Sequence, residues 1–190
     1  RATASHADRG ATTPAPALEV VEFWRQSSAH WFSKNARFDR RFHDQCLALH
    51  EAAASHLLDD WAITPHGSLA LLILLDQYPR NAFRGTARMY ATDALARKFA
   101  RDAVAAGHME AVAPALRLFF CLPFAHSEDL ADQDFSVELN ARIDPSARLR
   151  AQRHRDIVRR FGRFPHRNPL LGRATTAAEQ AFLDAGGFSG

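Results

Sequence analysis

The sequence predicts an all-α fold with seven to nine antiparallel helices, and three observations indicate it. Apolar residues recur at spacings of three and four along most of the chain, which is the periodicity of amphipathic helices. Helix start and stop signals, such as Thr64-Pro65 and Gly162, stand at the borders of these stretches. No Asn-Gly or Asp-Gly turn separates alternating β-branched runs, so the sequence carries no hairpin signal.

We expect a tail over residues 1–16 and one helical domain over residues 17–190, which is an ordinary size for a domain with one core. The tail lacks the apolar stretch of a secretory signal. Cys46 and Cys121 stand far apart among apolar neighbours, as buried thiols in a reducing compartment do. The longest apolar run, Leu69 to Leu75, is far shorter than the roughly 20 residues that span a bilayer. These features predict a cytoplasmic protein without a membrane helix.

The first three helices follow from their apolar stripes. Apolar side chains line one side of residues 18–25 and recur at helical spacing over residues 38–58. The third helix begins at Thr64-Pro65, because Thr can cap free amides and Pro fits a first helical turn. It is apolar on nearly every side, so we expect it to run through the middle of the core. Pro79 should end or kink it, because proline has no amide hydrogen.

Five later helices are predicted, at residues 86–106, 110–122, 127–143, 145–161 and 176–185. Gly107 and Gly162 follow two of them, as helix-ending glycines do. Thr176 and Glu179 have the spacing of a capping box at the start of the last one. No repeat of about 30 to 45 residues is visible, so the sequence itself does not predict a solenoid.

Charge is unevenly distributed although the formal net charge is only +3. Residues 142–173 hold ten arginines and two acids, whereas residues 127–140 hold five acids and no Lys or Arg. We expect these two segments to complement each other or to be solvated, with an anion-binding face as the alternative. Nucleic-acid binding is a weaker third interpretation, because it requires the arginines of residues 142–173 on one exposed face.

Three segments place ionisable residues at the ends of apolar helices. In the first, Asp76 directly follows the most apolar helix, and a buried carboxylate needs a partner such as Arg80 or Arg84. In the second, Ser127 suits an N-cap and Glu128 suits the positive end of a helix. His126 is the residue of that segment which helix stability does not explain.

The third segment is the densest in polar side chains. His154 lies on the apolar stripe of its helix, where it is either a satisfied core histidine or part of a site. Arg163, His166 and Arg167 follow in a loop rich in Gly and Pro, where side chains can converge on a pocket. Arginine forks match carboxylate and phosphate groups.

The sequence gives no ground for assigning a metal or a cofactor. The side chains of Asp76, His126, Glu128, His154 and His166 are of types that bind metals, but their spacing matches no short metal motif. The sequence also has no glycine-rich phosphate loop, no nucleophile elbow and no dinucleotide fingerprint. Whether the chain is an enzyme therefore stays open.

The same three segments match a known family pattern. They span residues 69–93, which include Leu-Leu-Asp-Gln-Tyr-Pro-Arg-Asn, residues 120–133 with Leu-Pro-Phe-Ala-His-Ser-Glu-Asp-Leu, and residues 154–173 with Arg-Phe-Gly-Arg-Phe-Pro-His-Arg-Asn. On these motifs the chain resembles, over about residues 18–185, the bacterial family called domain of unknown function 924. The resemblance implies a helical fold like that of the tetratricopeptide-like superfamily, with paired helices around one core, and no established activity. Tyr78 departs from the pattern, since the family usually has Phe there.

The leading hypothesis is a small-molecule pocket, binding or catalytic, for an anionic carboxylate or phosphate compound. The residues expected to hold the anion are Arg80, Arg84, Arg163 and Arg167. The residues expected to position it or transfer protons are His126, His154 and His166, with Asp76 and Glu128 as orienting groups or base. The alternative is a scaffold that binds a peptide or protein partner in a groove between helices, with its charged clusters engaged in internal ion pairs. The oligomeric state is not predicted.

Overall fold

A computed structural model describes residues 10–190, and every regular element in this range is helical. The α-helices are α1 (Ala15–Gln26), α2 (Ala36–Ala54), α3 (Pro65–Leu72), α4 (Tyr78–Ala82), α5 (Asp93–Ala105), α6 (Leu118–Ala125), α7 (Leu130–Ala141), α8 (Pro145–Phe161), α9 (Asn168–Leu171) and α10 (Ala177–Asp184). A π turn, Ile73–Gln77, joins α3 and α4 into one rod. The all-α prediction is confirmed, while the first nine residues of the expected tail lie outside the described part.

Several helix ends differ from the prediction. The predicted helix at residues 86–106 is a 3-10 turn, Ala87–Tyr90, followed by α5. The helix predicted at residues 110–122 is replaced by a 3-10 turn, Pro114–Leu116, and α6. Helix α7 begins three residues late because Asp129, rather than Ser127, accepts hydrogen bonds from the free amides of its first turn.

Two predicted end signals are confirmed. Helix α8 ends at Gly162, whose φ of 73° lies in the left-handed region that favours glycine. At the start of α10, the Thr176 side chain accepts from the Glu179 amide, and the Glu179 carboxylate accepts from the Thr176 amide. This reciprocal pair is the capping box that the sequence predicted.

Helix α3 lies in the middle of the core, as its apolar sequence predicted. Residues 69–75 are all fully buried, and α3 packs against α1, α5 and α6. Between α1, α2 and α6, aromatic rings fill the interior, with Trp24 in edge-to-face contact with Phe119 and tilted against Phe42. None of the helices in residues 10–190 is long and apolar enough to cross a membrane.

Pro79 does not end the rod that contains α3, because the chain forms a π turn just before it. In a regular α-helix the Leu75 carbonyl would accept from residue 79, which as proline has no amide hydrogen. The Tyr78 amide instead donates to the carbonyl of Ile73, five residues back. The helix then continues as α4, with Pro79 in its first turn.

Side chains from other elements bind the carbonyls that the π turn releases. His50 Nδ1 donates to the Leu74 carbonyl over 2.8 Å, and Thr92 Oγ1 donates to the Leu75 carbonyl over 2.6 Å. These bonds remove the cost of leaving buried carbonyl groups unpaired. Because Thr92 immediately precedes Asp93, its bond also fixes the start of α5 beside the π turn.

The acidic and basic segments complement each other, which confirms the first interpretation of their charge. Helix α7 packs extensively against α8. Four ion pairs join residues of the two segments: Arg142 with Glu138 (3.7 Å), Arg155 with Asp134 (3.2 Å), Arg167 with Glu128 (4.0 Å) and Arg173 with Glu128 (2.8 Å). The last of these pairs belongs to the site described next.

Candidate functional site

A buried carboxylate, Asp76, lies at the centre of the candidate site. The π turn places Asp76 in the interior, where only 1% of the residue is exposed. Its Oδ1 accepts a hydrogen bond of 2.7 Å from His126 Nδ1, and its Oδ2 accepts one of 2.9 Å from Gln77. Burial opposes the charge, but the attraction of His126 and Arg80 outweighs this effect and lowers the pKa of Asp76.

Arg80 is held by two carboxylates. Its guanidinium donates two hydrogen bonds, of 2.7 and 2.9 Å, to the carboxylate of Asp93. It also donates to the backbone carbonyl of Asp76 over 3.0 Å and lies 3.4 Å from the Asp76 carboxylate. Because these bonds occupy the guanidinium, Arg80 organises the site rather than offering an open position for an anion.

The contact with Asp76 determines which ring nitrogen of His126 carries the proton. A carboxylate only accepts hydrogen bonds, so His126 Nδ1 is the donor and Nε2 is left as an acceptor. Burial and the positive charge of Arg80 lower the pKa of His126, although Asp76 opposes them. His126 is therefore neutral near pH 7, and its ring lines an open cleft.

Arg167 is a buried charged group of the site with few partners. Only 6% of the residue is exposed, yet its one hydrogen bond within residues 10–190 goes from Nη2 to the His126 carbonyl, over 2.9 Å. Its Nε is buried without an acceptor, and Nη1 lies 4.0 Å from Glu128 Oε1. The guanidinium carbon Cζ lies over the rings of Tyr90 and Phe164, at 4.6 and 4.7 Å from their centroids. Burial and the charge of Arg80 lower the pKa of Arg167.

Glu128 is already paired and fixes the loop that carries Arg167. Its carboxylate accepts two hydrogen bonds from Arg173, of 2.8 and 3.1 Å, and one of 2.7 Å from the Phe164 amide. Burial acts against its charge, but these three bonds outweigh burial and lower the pKa of Glu128. The charge of Glu128 is therefore mainly neutralised by Arg173, whose Nη1 lies 2.8 Å from the same oxygen, Oε1, that is 4.0 Å from Arg167 Nη1.

An open cleft of about 740 Å³ lies between the start of α5, the loop before α7 and the loop before α9. Its lining residues are Tyr90, Ala91, Asp93, Ala94, Arg97, His126, Ser127, Glu128, Asp129, Asp132, Arg167 and Leu171. Three of the sequence candidates, His126, Glu128 and Arg167, are among them. Asp76 and Arg80 stand directly behind this wall, in contact with His126 and Asp93.

His154 and His166 lie together behind Arg167 and do not line the cleft. Both rings contact Phe188, with centroid distances of 4.7 and 5.0 Å. His154 Nδ1 donates to the Arg150 carbonyl, whereas His166 Nδ1 is buried without a partner in the described chain. Burial and the charge of Arg167 lower the pKa of His166 to about 4. Burial also lowers the pKa of His154.

Two of the arginines expected to hold an anion form ion pairs away from the cleft. Arg84 donates to Asp39 over 2.8 and 3.2 Å and fastens the end of α4 to α2. Arg163 donates two hydrogen bonds of 2.8 Å to Glu179 and so fastens the loop after α8 to α10. Both guanidinium groups are thus engaged by carboxylates of distant elements.

The site also contains residues that the sequence did not single out, namely Tyr90, Asp93, Arg97 and Arg173. Asp93 and Arg173 are the last residues of two of the motif stretches, so the family motifs could have indicated them as site residues. No spacing links Asp93 to Arg80, or Arg173 to Glu128, because each pair joins separate elements. Within residues 10–190, no three His, Cys, Asp or Glu side chains are placed to share a metal ion.

The fold and the site define a class of protein, an all-helical domain with a charged cleft above a buried Asp–His–Arg cluster. The chain belongs to the family described as bacterial protein of unknown function (DUF924), which matches residues 20–187. It is similar to the solved structure of a protein of unknown function from Agrobacterium tumefaciens, with 50% identity and a TM-score of 0.89. That match covers 92% of this chain and 99% of the other. Among curated proteins, none matches the chain.

Proposed function

We propose that the cleft binds a small anionic molecule, whose carboxylate or phosphate group pairs with Arg167. The observation that carries the proposal is the state of this guanidinium, which is buried and hydrogen-bonded only to one backbone carbonyl. A buried charge that lacks a close counter-ion costs several kcal/mol, and proteins seldom keep one without a use. A ligand anion in the cleft would give this guanidinium a close counter-charge and would supply an acceptor for Nη1, which makes no hydrogen bond within residues 10–190.

The acidic residues of the cleft do not compete strongly with such a ligand. Asp93 is paired with Arg80 through two hydrogen bonds, and Glu128 is paired in the same way with Arg173. Because Arg80 and Arg173 neutralise these carboxylates, they only weakly repel an anion that approaches Arg167. The rings of Tyr90 and Phe164 contact the Arg167 guanidinium and restrict its motion, which reduces the entropy lost on binding.

The His126 ring adds a chemical capability to the same cleft. Asp76 orients the ring and keeps the proton on Nδ1, so the neutral Nε2 can accept a hydrogen bond or a proton from the ligand. A histidine oriented by a buried carboxylate is the arrangement that general-base catalysis uses. Proton transfer to His126 is therefore the catalytic role that the geometry favours, if binding is followed by a reaction.

The test is thermal unfolding of the protein with inorganic phosphate, glycerol 3-phosphate, butyrate and glutarate, repeated on Arg167→Gln. A ligand at about 100 times its Kd stabilises by about 2.7 kcal/mol, which should raise the Tm by roughly 5 to 10 °C at this chain length. We expect at least one probe to give such a shift and Arg167→Gln to abolish it. Arg84→Gln is the matched control, because it removes the same positive charge at an arginine that lies outside the cleft and is paired with Asp39.

A shift that persists unchanged in Arg167→Gln would place the anion elsewhere and refute the proposal. If no probe shifts the Tm of the wild-type protein, the interaction scaffold becomes the better hypothesis. That alternative predicted internal ion pairs, which Arg80, Arg84 and Arg163 do form. Arg167 differs from these three arginines, and for that reason the small-molecule site is preferred.

A further inference from the structure

A second arginine, Arg97, lines the cleft and has no hydrogen-bond partner among residues 10–190. It lies on α5, one helical turn after Asp93, and its nearest carboxylate oxygen is Asp132 Oδ2, at 3.6 Å from Nε. This distance exceeds that of a guanidinium–carboxylate hydrogen bond. Its five N–H donors are therefore available to a molecule in the cleft.

The charge of Asp132 is already satisfied by other groups. Arg101 donates to Asp132 Oδ1 over 2.8 Å, and the Ser127 hydroxyl donates to Oδ2 over 2.7 Å. The Asp132 carboxylate thus faces two guanidinium groups. It accepts a hydrogen bond from Arg101 but none from Arg97. Asp132 therefore gives Arg97 no hydrogen bond, and an anionic group of a ligand in the cleft would supply one.

Arg97 and Arg167 lie at different positions along the cleft. Arg167 is close enough to Asp93 and Arg80 to feel their charges, while Arg97 is four residues further along α5. Four residues correspond to about 6 Å of helix axis. Ala91 and Ala94 also line the cleft, and their small side chains fill little of it.

We propose that the ligand carries two anionic groups on a short spacer, one bound by Arg167 and the other by Arg97. This inference rests on the proposed function and narrows its ligand class to dicarboxylates and phosphorylated carboxylates. A ligand of this class would neutralise both unpaired guanidinium groups at once. Asp76–His126 would then face the part of the molecule next to the group on Arg167.

Calorimetric titration with probes of matched size tests the inference. Glutarate and 3-phosphoglycerate carry two anionic groups, and butyrate and glycerol 3-phosphate carry one. We expect the two-group probes to bind at least tenfold more tightly, because a charge-assisted hydrogen bond contributes about that factor. Arg97→Gln should remove this advantage and leave the binding of one-group probes within about twofold of wild type.

Lys98→Gln is the matched control, because it removes one positive charge from the same helix at an exposed side chain that pairs with Asp102. Lys98→Gln should not change the affinity for either class of probe. Unfolding of each variant without ligand checks its fold, and Arg97→Lys, which keeps the charge, should bind the two-group probes with intermediate affinity. A comparison of the carboxylate and phosphate probes identifies the group that Arg167 prefers.

The outcomes separate the two proposals. If two-group probes bind no better than one-group probes, or if Arg97→Gln weakens both classes equally, the second anchor is refuted while the proposed function stands. If neither class binds the wild-type protein, both proposals are refuted. Loss of all binding in Arg167→Gln, together with selective loss in Arg97→Gln, would establish a two-anchor site.

Discussion

Arginine residues with the same chemistry have different surroundings in this molecule. Arg80 and Arg163 each donate two short hydrogen bonds to one carboxylate, whereas Arg167 faces none at hydrogen-bonding distance. The first two are engaged within the fold, and the third is the arginine that we propose as the anion-binding group. Their local sequences do not distinguish them, because the partners Asp93 and Glu179 come from other elements. The sequence therefore identifies the candidate arginines but does not show which of them are paired with a carboxylate in the fold.

His166 gives a pH-dependent prediction at the same scale. Its pKa falls to about 4 in the folded protein from an ordinary value of 6.5, so the unfolded chain binds a proton more readily. The contribution of His166 to stability is complete above about pH 6.5 and is lost as the pH falls toward 4. We expect His166→Phe to reduce the loss of unfolding free energy between pH 7 and 5 by about 1 kcal/mol, after allowance for partial solvent exposure.

Urea unfolding at both pH values measures this difference. His56→Asn is the control, because His56 is exposed, lies in a left-handed conformation that Asn tolerates, and pairs only with Asp59. This control tests whether the removal of any histidine alters the pH dependence. An unchanged pH dependence in His166→Phe would show that His166 remains accessible to protons in the folded state.

At the scale of the element, helix interiors were more predictable than helix ends. The apolar face of α3 and the whole of α8 followed from periodicity and from Gly162. The start of α7 was misplaced because Ser127 and Asp129 are both good caps, and Ser127 instead donates to Asp132. The π turn was outside the reach of the sequence, since it depends on side chains of distant helices that bind its free carbonyls.

Thr92→Val tests how much one of these bonds supports the π turn. The substitution keeps the shape of the side chain but removes the hydroxyl that donates to the Leu75 carbonyl. A buried carbonyl without a donor costs about 1 to 3 kcal/mol, so we expect the unfolding free energy to fall by about that amount. Thr92→Ser keeps the hydroxyl and should lose less than half as much. Equal losses in the two variants would attribute the effect to the methyl group.

At the scale of the whole molecule, the site is assembled from three parts of the chain. Asp76 and Arg80 come from the π turn and α4, His126 from the end of α6, and Arg167 from the loop after α8. The family motifs indicated that the three segments contribute to one site. The contacts of Asp76 with His126 and of His126 with Arg167 join these segments. Sequence spacing alone does not encode such contacts, because they depend on how the helices pack.

The last helix holds the Arg167 loop in place through Glu179, which is 2% exposed and bonded to Arg163 and to Asn168. Glu179→Gln should lower the Tm by about 5 °C or more, because it leaves Arg163 with a weaker acceptor. It should also speed amide hydrogen exchange over residues 162–176. Asp184→Asn is the control on the same helix, since Asp184 accepts only from Gln180 at the surface. Normal exchange in Glu179→Gln would mean that the loop is held by its other contacts.

The π turn has a consequence that concerns insertions and deletions. Because a π turn accommodates about one residue more than a turn of α-helix, it behaves as a single-residue insertion within the rod from Pro65 to Ala82. One residue of α-helix corresponds to about 100° of rotation about the axis. Deletion of a single codon in residues 73–77 would keep α4 in register only if the turn closed as regular α-helix, which Pro79 opposes because it has no amide hydrogen. If the π turn persists, the same deletion turns Arg80 away from Asp93. The number of residues in this rod, and not only its composition, therefore sets the geometry of the cleft.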